Sequence, residues 1–419
     1  MLYVLFFWIP YSQSVIETCV ILAFFLWIIK RVFVFKDFLR QGELKVGVAW
    51  QRAFSPAASF LNVPIAFFIV VCIFSISGSL FPAKSAYGFL TKTLEWFVVY
   101  FLILEVFTER RHVLNFFIVF MFSSSAVILD SLIQFYLTHK DIFRGYPLTA
   151  RGATACFHHP NQLAGFLIFL SSLSFSFLFR QKASPRSRLF YSVFFTLAIW
   201  SLSITFSRGG WLANIVGILL CCYLVNKKFF KKFLLGGLLL ISLLYLALPL
   251  DTKRDFRIDP AYVGQTASWR LGVWADSLRM IKEAPFFGHG PNTYMDLFQY
   301  YRRNSANMAD LGPTYAHNCY IHLAAEMGML GLAGFLWMMA RLFTNVIRKW
   351  NAAIHTAQKE DLFYLYLLVG LLSGVAGLLV QSFFDTHLYS LRFYVLFWSA
   401  IGLCVSIDRL IVLDKVPGK

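Results

Sequence analysis

A single arginine, Arg208, lies between two apolar segments of the sequence, in the stretch SLSITFSRGGWLANIVGILL at residues 201–220. A charged side chain at the centre of a bilayer is costly, by about 2.5–3.5 kcal/mol on insertion scales. Two glycines directly follow this arginine, and glycine lets a backbone or a ligand approach closely. Although an arginine can also snorkel to lipid headgroups, the glycines lead us to favour a functional role for Arg208.

A second arginine, Arg270, lies in the segment TASWRLGVWADSLRMIKEAPFF. Apolar residues recur there at helical spacing and predict an amphipathic helix along the membrane surface: Leu271, Trp274, Leu278 and Ile281. We expect Ser268 to cap this helix and Pro285 to end it. Arg270 would then lie at the helix N-terminus, where the dipole favours anions, although a solvated helix charge is the alternative. Arg279 and Glu283 are spaced as a structural i,i+4 pair.

A histidine follows where the chain enters the next apolar segment, AHNCYIHLAAEMGMLGLAGF. Histidine is the side chain best suited to take a proton near neutral pH. A lone loop histidine is more often structural, but His317 is expected on the same membrane face as both arginines. His322 and Glu326 continue down one helix face at i,i+4 spacing. They could hold water, orient His317, or pair with each other.

Two arginines and a histidine at one membrane face indicate a particular chemistry. Arginine binds phosphate with two parallel hydrogen bonds, and preorganised cations stabilise the charge that develops on a pyrophosphate leaving group. A histidine base could deprotonate an incoming hydroxyl. This combination favours glycosyl transfer from a polyprenyl-pyrophosphate sugar carrier. No cofactor is expected, and the outer loops contain no D-x-D motif that would call for a divalent metal.

The composition indicates an integral membrane protein of a single domain, residues 1–419. Hydrophobic residues make up 58% of the chain and charged residues 14%, whereas soluble domains carry about 25% charged residues. The net charge of +17 does not indicate nucleic-acid binding, because polytopic proteins collect Lys and Arg in cytoplasmic loops. The cysteines show no C-x-x-C spacing. Cys156 and Cys319 are both expected on the outer side, as two free thiols rather than as a disulfide.

The apolar segments predict an all-α polytopic fold with about twelve transmembrane helices. The candidates lie near residues 2–10, 13–35, 63–81, 88–107, 113–136, 161–180, 189–206, 209–226, 233–250, 318–340, 362–384 and 391–412.

The positive-inside rule orients these spans. Basic segments alternate along the chain and place both termini in the cytoplasm: 30–52, 109–111, 180–188, 226–232 and 348–350. The remaining loops are then periplasmic: 82–87, 137–160, 207–210, 251–316 and 385–390. The long periplasmic loop, 251–316, contains the predicted amphipathic helix. The outer side receives most of the unusual polar residues: Arg144, Arg151, His158, His159, Asn161, Arg208, Arg270, His289, His317, Asp385 and His387.

Four segments together resemble the O-antigen ligase and polymerase superfamily, bacterial inner-membrane glycosyltransferases of the GT-C type. They are RGATACFHHPNQLAGFL, SITFSRGGWLA, SWRLGVWADSLRMIKEAPFFGHGPNTY and AHNCYIHLAAEMGMLGLAGF. The resemblance covers residues 150–335, and the flanking spans are similar only in hydropathy.

The resemblance implies roles for individual residues. Arg208 and Arg270 correspond to the arginines that engage undecaprenyl pyrophosphate. His317 corresponds to the residue that activates the acceptor hydroxyl, in a metal-independent transfer that inverts the anomeric centre. The resemblance also implies two supporting positions, Asn161 and Asn318. Arg151 and His159 are further candidate substrate-binding residues, beside Asn161 and Asn318. The paired histidines before Pro160 depart from the family pattern, and a donor-glycan contact and a core or interface role both remain open for them.

Several acceptors are compatible with this chemistry. A ligase moves a finished glycan onto lipid A–core, which we favour, whereas a polymerase moves a growing glycan onto a lipid-linked repeat unit. A protein O-oligosaccharyltransferase is less favoured, because the chain has little room for extra outer-side sequence. A polysaccharide transporter is the alternative from another class, but transporters place polar sites near the bilayer midplane, whereas the charges here collect at one face.

Overall fold

The computed structural model describes residues 1–40, 46–149, 152–231, 235, 260–303 and 314–411. Over these ranges the fold is all-helical and contains no strand, only isolated bridges in the loop before residue 153. The helices in chain order are α1 (Leu2–Trp8), α2 (Gln13–Arg40), α3 (Val46–Phe54), α4 (Asn62–Ser77), α5 (Pro82–Gly88), α6 (Leu94–Val106), α7 (Arg110–Ile133), α8 (Pro160–Leu178), α9 (Pro185–Ser203), α10 (Arg208–Val225), α11 (Pro260–Glu283), α12 (Tyr294–Tyr301), α13 (Cys319–Ala353), α14 (Lys359–Gln381) and α15 (Leu391–Leu410). The predicted all-α class is confirmed.

The protein is a multi-pass membrane protein. In the described part of the chain, 7 helices are long and apolar enough to cross a membrane: α2, α7 with its π-helical extension to Thr138, α8, α10, α13, α14 and α15. Helices α1, α4, α6 and α9 form at four other predicted spans but do not meet both criteria of length and hydropathy. The candidate at 233–250 lies almost wholly outside the described residues. The predicted number of about twelve spans is therefore not confirmed.

The membrane helices differ in how much of their surface the protein covers. Helix α2 leaves large apolar side chains exposed, among them Phe25 and Phe33 at 56% and 61%, as expected for a helix that faces lipid tails. Helices α8, α14 and α15 are buried along most of their length. They form the centre of the bundle.

Small residues hold α8, α10 and α14 close together. A Cβ at Gly217 of α10 would lie 2.9 Å from the carbonyl oxygen of Ser373 in α14, and one at Gly370 of α14 would lie 2.9 Å from the Cα of Leu173 in α8. Close approach through small residues is how membrane helices gain packing energy without a hydrophobic driving force between them. This close packing fixes the starts of α8 and α10 and the end of α14 relative to one another.

Helix α13 is broken in its N-terminal third. Gly328 has a φ of 69° and a ψ of −178° inside the helix, a conformation that essentially only glycine adopts. A Cβ at this position would overlap the carbonyl of Phe286. The turn that follows α11 approaches the break, and its Pro285 carbonyl accepts a 2.8 Å hydrogen bond from the backbone N–H of Met329. The turn therefore caps the part of α13 that follows Gly328.

The same turn also donates hydrogen bonds to the last carbonyls of α13 before the break. The backbone N–H groups of His289 and Gly290 donate to the carbonyls of Ala325 and Glu326 at 3.1 and 2.8 Å. Ser75 of α4 donates to the Glu326 carbonyl as well, at 2.8 Å. Buried backbone groups freed by the break are thereby hydrogen-bonded again, as a membrane interior requires. The turn is consequently part of the helix bundle.

The boundaries of α11 differ from those predicted. The helix begins at Pro260, so Ser268 lies inside it and does not cap it. Proline suits the first turn of a helix, because its missing N–H would have no partner there. The helix ends at Glu283, two residues before Pro285, as predicted. Arg270 therefore lies in mid-helix, and the prediction that it lies at the helix N-terminus, where the dipole favours anions, was wrong.

The buried face of α11 also differs from expectation. Val273, Ser277 and Met280 are fully buried against α12 and α13, whereas Leu271 and Leu278 of the predicted apolar face are exposed. The Ser277 hydroxyl lies 2.6 Å from the hydroxyl of buried Tyr294 in α12, which lets polar atoms occupy this interface.

Charge pairing within α11 also departs from the prediction. Arg279 pairs with buried Asp276 at 2.8 Å and not with Glu283, whose carboxylate instead accepts a hydrogen bond from Tyr301. The structural role predicted for Arg279 holds, with a different partner.

Candidate active site

His317 and Asp385 form the centre of the candidate site. The Nδ1 atom of His317 lies 3.6 Å from Oδ1 of Asp385, and both side chains are partly exposed, at 28% and 19%. His317 has a φ of 48°, which is uncommon for a residue other than glycine. Such conformations collect at functional sites, where the surrounding structure holds them. The pairing leaves Nε2 of the imidazole for another partner.

The start of α8 and the loop after α14 hold the Asp385 carboxylate. Asn161, in the first turn of α8, donates from Nδ2 to Oδ2 at 3.0 Å, and Nε2 of His387 lies 3.8 Å from the same oxygen. Burial alone would raise the pKa of Asp385, but the neighbouring His387 and His317 and the hydrogen bond from Asn161 outweigh it and lower that pKa below its usual range. Asp385 is therefore an anion at neutral pH.

The start of α8 is built around this carboxylate. His159 is the N-cap residue, and its Nδ1 accepts a 3.1 Å hydrogen bond from the backbone N–H of Asn161. Gln381, the last residue of α14, donates to the Asn161 carbonyl at 2.7 Å. These contacts fix the Asn161 side chain toward Asp385. A substrate contact by His159 or Asn161 stays a prediction.

Asn318 serves as the cap of α13. Its Oδ1 accepts hydrogen bonds from the backbone N–H groups of Tyr320 and Ile321 at 2.9 and 3.1 Å. The residue is buried. This cap orients the loop residue His317 directly before it, and the predicted substrate-binding role of Asn318 stays untested.

Arg208 is the first residue of α10 and is partly exposed. The two glycines after it lie against neighbouring side chains: a Cβ at Gly209 would be 3.2 Å from the Cβ of Phe384, and one at Gly210 would be 2.7 Å from the Cβ of Ala164 in α8. Phe384 is the residue before Asp385. The S-R-G-G junction therefore brings the backbone of Arg208 close to the loop that carries the candidate site.

Two tryptophans on the same helix as Arg270 contact the loop that carries His317. The ring centroid of Trp269 lies 4.9 Å from that of His317, and Trp274 donates from Nε1 to the Ala316 carbonyl at 3.0 Å. Arg270 itself is partly exposed. The structure thus brings the elements that carry Arg208, Arg270 and His317 to one region, whereas Arg151 lies outside the described residues.

Asp385 and His387 were predicted only as outer-side polar residues. The segment DTH at 385–387 follows an apolar span, which was the available signal, but no spacing rule links it to a histidine 68 positions earlier. No sequence pattern pointed to a role for Gln381 in the site, because a glutamine at a helix end is common.

Beneath the site, His322 and Glu326 form a buried pair. Nε2 of His322 lies 3.3 Å from Oε1 of Glu326, which confirms one of the three expected alternatives. The same oxygen accepts a 3.2 Å hydrogen bond from the backbone N–H of Tyr294, and the His322 ring lies between those of Tyr294 and Tyr389, at 4.2 and 4.1 Å. The pair therefore joins α13 to α12 and to the loop that follows Asp385.

The two outer-side cysteines are both buried free thiols. The Sγ of Cys319 lies 3.3 Å from the Asp385 carbonyl, to which it donates. The expectation that Cys156 and Cys319 are not joined is confirmed.

Two comparisons bear on this site. The family model described as O-antigen ligase matches residues 193–336, a range that includes Arg208, Arg270 and His317. An uncharacterized protein of Haemophilus influenzae is 29% identical over 189 residues, 41% of this chain and 46% of that protein. The match thus spans less than half the length of that relative. Residues 193–336 thus match the O-antigen ligase family, and this match supports the resemblance to the superfamily.

Proposed function

We propose that the protein transfers a glycan from undecaprenyl pyrophosphate to a hydroxyl group of lipid A–core, at the periplasmic face of a bacterial inner membrane. The observation that carries this proposal is the His317–Asp385 pair, within 3.6 Å of each other, in a membrane protein whose ligase-like region includes His317.

In this proposal His317 is the general base. Asp385 faces Nδ1, which favours the tautomer with a proton on Nδ1 and leaves Nε2 as the acceptor. The carboxylate then stabilises the imidazolium that forms, as in other histidine–carboxylate pairs. The acceptor hydroxyl loses its proton to Nε2 while its oxygen bonds to the anomeric carbon.

The bond that breaks joins the anomeric carbon to the pyrophosphate oxygen, and its electron pair leaves with undecaprenyl pyrophosphate. Attack from the opposite side inverts the anomeric centre. Arg208 and Arg270 are proposed to bind the pyrophosphate and stabilise its developing charge. Support comes from the position of their helices, one beside Phe384 and the other beside His317.

The orientation follows from the charge distribution in the sequence. Basic segments collect on one side of the predicted spans, so the positive-inside rule places them and both termini in the cytoplasm. The site then faces the periplasm, where the undecaprenyl-linked glycan would be the donor.

The test uses the native host without this gene, complemented with wild type, His317→Ala or Asp385→Asn. Lipopolysaccharide is separated on a gel, and lipid-linked glycan is measured in parallel. A ligase predicts that long chains disappear from the core while polymer accumulates on the carrier, and that both variants fail to restore them.

Other outcomes identify other members of the superfamily. Single repeat units on the core would indicate a polymerase, which uses the same donor. Unchanged lipopolysaccharide and unchanged carrier glycan would contradict the proposal and favour another acceptor or a transporter. Protein levels in the membrane, measured by immunoblot, show whether each variant is made.

A further inference from the structure

Two arginines and a histidine gather on the outer side of the bundle, apart from the candidate active site. They are Arg144 and His158 of the loop between α7 and α8, and Arg392 in the first turn of α15. We call them the basic cluster. Tyr146 lies among them: its ring centroid is 5.3 Å from that of His158 and 5.8 Å from the Arg144 guanidinium carbon.

Arg392 is the buried member of the cluster, at 2% exposure. Its guanidinium donates to two backbone carbonyls, those of Cys156 and Tyr11, at 3.1 and 3.3 Å, and lies 5.2 Å from the centroid of the Phe157 ring. Its Nε has no acceptor in the described part of the chain. Carbonyls and an aromatic ring satisfy hydrogen bonds but do not neutralise a buried charge.

Arg144 and His158 are the accessible members. Among the residues that the structure describes, neither side chain forms an ion pair. The pKa of His158 is lowered by partial burial and by the charges of Arg392 and Arg144, so the two arginine charges act on the same small region. Like charges held together in this way favour a bound anion.

Two acidic residues lie nearby, but the loop backbone uses them. Asp141 accepts from the backbone N–H groups of Arg144 and Tyr146 at 2.7 and 2.5 Å, and Asp130 accepts from that of Ile142 at 2.7 Å. Their carboxylates shape the loop. Among the described residues, neither carboxylate forms an ion pair with Arg144 or Arg392.

Aromatic contacts link both α11 and the cluster to the loops that carry His317 and Asp385. At α11, Trp269 contacts His317. At the cluster, the ring of His387 stacks on Phe393 at 4.9 Å, and Phe393 lies 6.2 Å from Phe157 beneath Arg392. A substrate bound at the cluster would therefore lie near the loop that carries Asp385.

We propose that the basic cluster binds an anionic group, phosphate or carboxylate, on the acceptor saccharide. Arg144 and His158 contact the anion directly, and buried Arg392 contributes its charge from below. This assignment rests on the proposed function, because it takes the α11 side for the donor and leaves the cluster side for the acceptor.

The experiment measures binding without turnover. Core oligosaccharide from the host, released from its lipid, is titrated by calorimetry into the full-length protein in detergent. The variants are Arg144→Gln, His158→Gln and the double substitution, with Lys282→Gln as an exposed cation elsewhere on the outer side. The saccharide is used intact, after phosphatase treatment and after reduction of its carboxyl groups. Thermal unfolding of each variant confirms folding.

We expect the double variant to weaken binding about tenfold or more, the effect of losing one charge-assisted contact, and Lys282→Gln to bind as wild type does. Either phosphatase treatment or carboxyl reduction should weaken binding to the wild type, and whichever does so identifies the anion. Because the titration needs no turnover, an inactive transferase assay is distinguishable from an empty acceptor site.

Equal binding by wild type and the double variant would overturn the assignment. So would wild-type binding that neither treatment of the saccharide changes, or no binding at all. Displacement of the saccharide by phosphatidylglycerol added to the micelles would overturn it as well, because the cluster would then be a lipid-headgroup site.

Discussion

Asn161 and Asp385, 224 residues apart, are joined by a 3.0 Å hydrogen bond from the amide Nδ2 to the carboxylate Oδ2. This contact leaves the other carboxylate oxygen facing His317. The start of α8 and the loop after α14 therefore act together to aim one carboxylate at one imidazole.

Replacing Asp385 with Asn should reduce kcat by about 10²- to 10⁴-fold, the range for loss of general-base function. The amide keeps the size of the side chain but cannot stabilise an imidazolium at His317. Glycan transfer by the purified protein gives kcat and KM. Asp296→Asn is the matched control, since Asp296 pairs with Lys84 on the exposed surface. A kcat of Asp385→Asn within twofold of wild type would show that Asp385 does not take part in the mechanism.

Replacing Arg208 with Lys should lower kcat by about 10²- to 10³-fold, as for loss of one preorganised donor at a developing anion. Lysine keeps the charge but cannot form the bidentate contact with phosphate. Transfer rates at saturating donor are the measurement. Arg186→Lys, at the start of α9 among the basic loop residues, is the control. A tolerated lysine at 208 would show that the residue only contacts headgroups.

Replacing Gly328 with Ala should destabilise the protein by about 2 kcal/mol or more, because alanine is strained at a positive φ and its Cβ would overlap the Phe286 carbonyl. Thermal unfolding in detergent measures the change. Gly47→Ala is the control, since a Cβ there meets nothing within 4 Å. If both variants unfold at the wild-type temperature, the turn does not insert into α13.

The ionised state of Asp385 should contribute to stability in a defined pH range. Its folded-state pKa is lowered, so this contribution is present above the unfolded pKa of about 4 and is lost as pH falls toward the folded value. Wild type should therefore exceed Asp385→Asn in unfolding temperature at pH 6, and the gap should narrow below about pH 4. The measurement is thermal unfolding from pH 3 to 7. A gap that widens on acidification would contradict the lowered pKa.

Several features of this protein follow from the sequence alone. The apolar segments determine an all-α membrane protein, because a lipid-embedded backbone must satisfy its hydrogen bonds within each helix. The residue types and local motifs were sufficient to select His317, Arg208 and Arg270 as candidates, since cationic and basic side chains are rare between apolar segments. Pro285 was recognised as the end of α11 for an equally local reason, the restricted backbone of proline.

Only the tertiary structure decided which residues meet. Asp385 reaches Asn161 because α8 and α14 pack closely through small residues. It reaches His317 because the start of α13 bonds to the end of α14, where the backbone N–H of Cys319 donates to the Ser382 carbonyl at 2.8 Å; no local pattern encodes these distances. The start of α11 was misplaced because Ser268 resembles a helix cap, while the chain before it continues the helix from Pro260. The break at Gly328 depends in the same way on a turn some 40 residues earlier (Pro285–Gly290), and contacts between segments so distant in sequence are set by packing of the whole bundle.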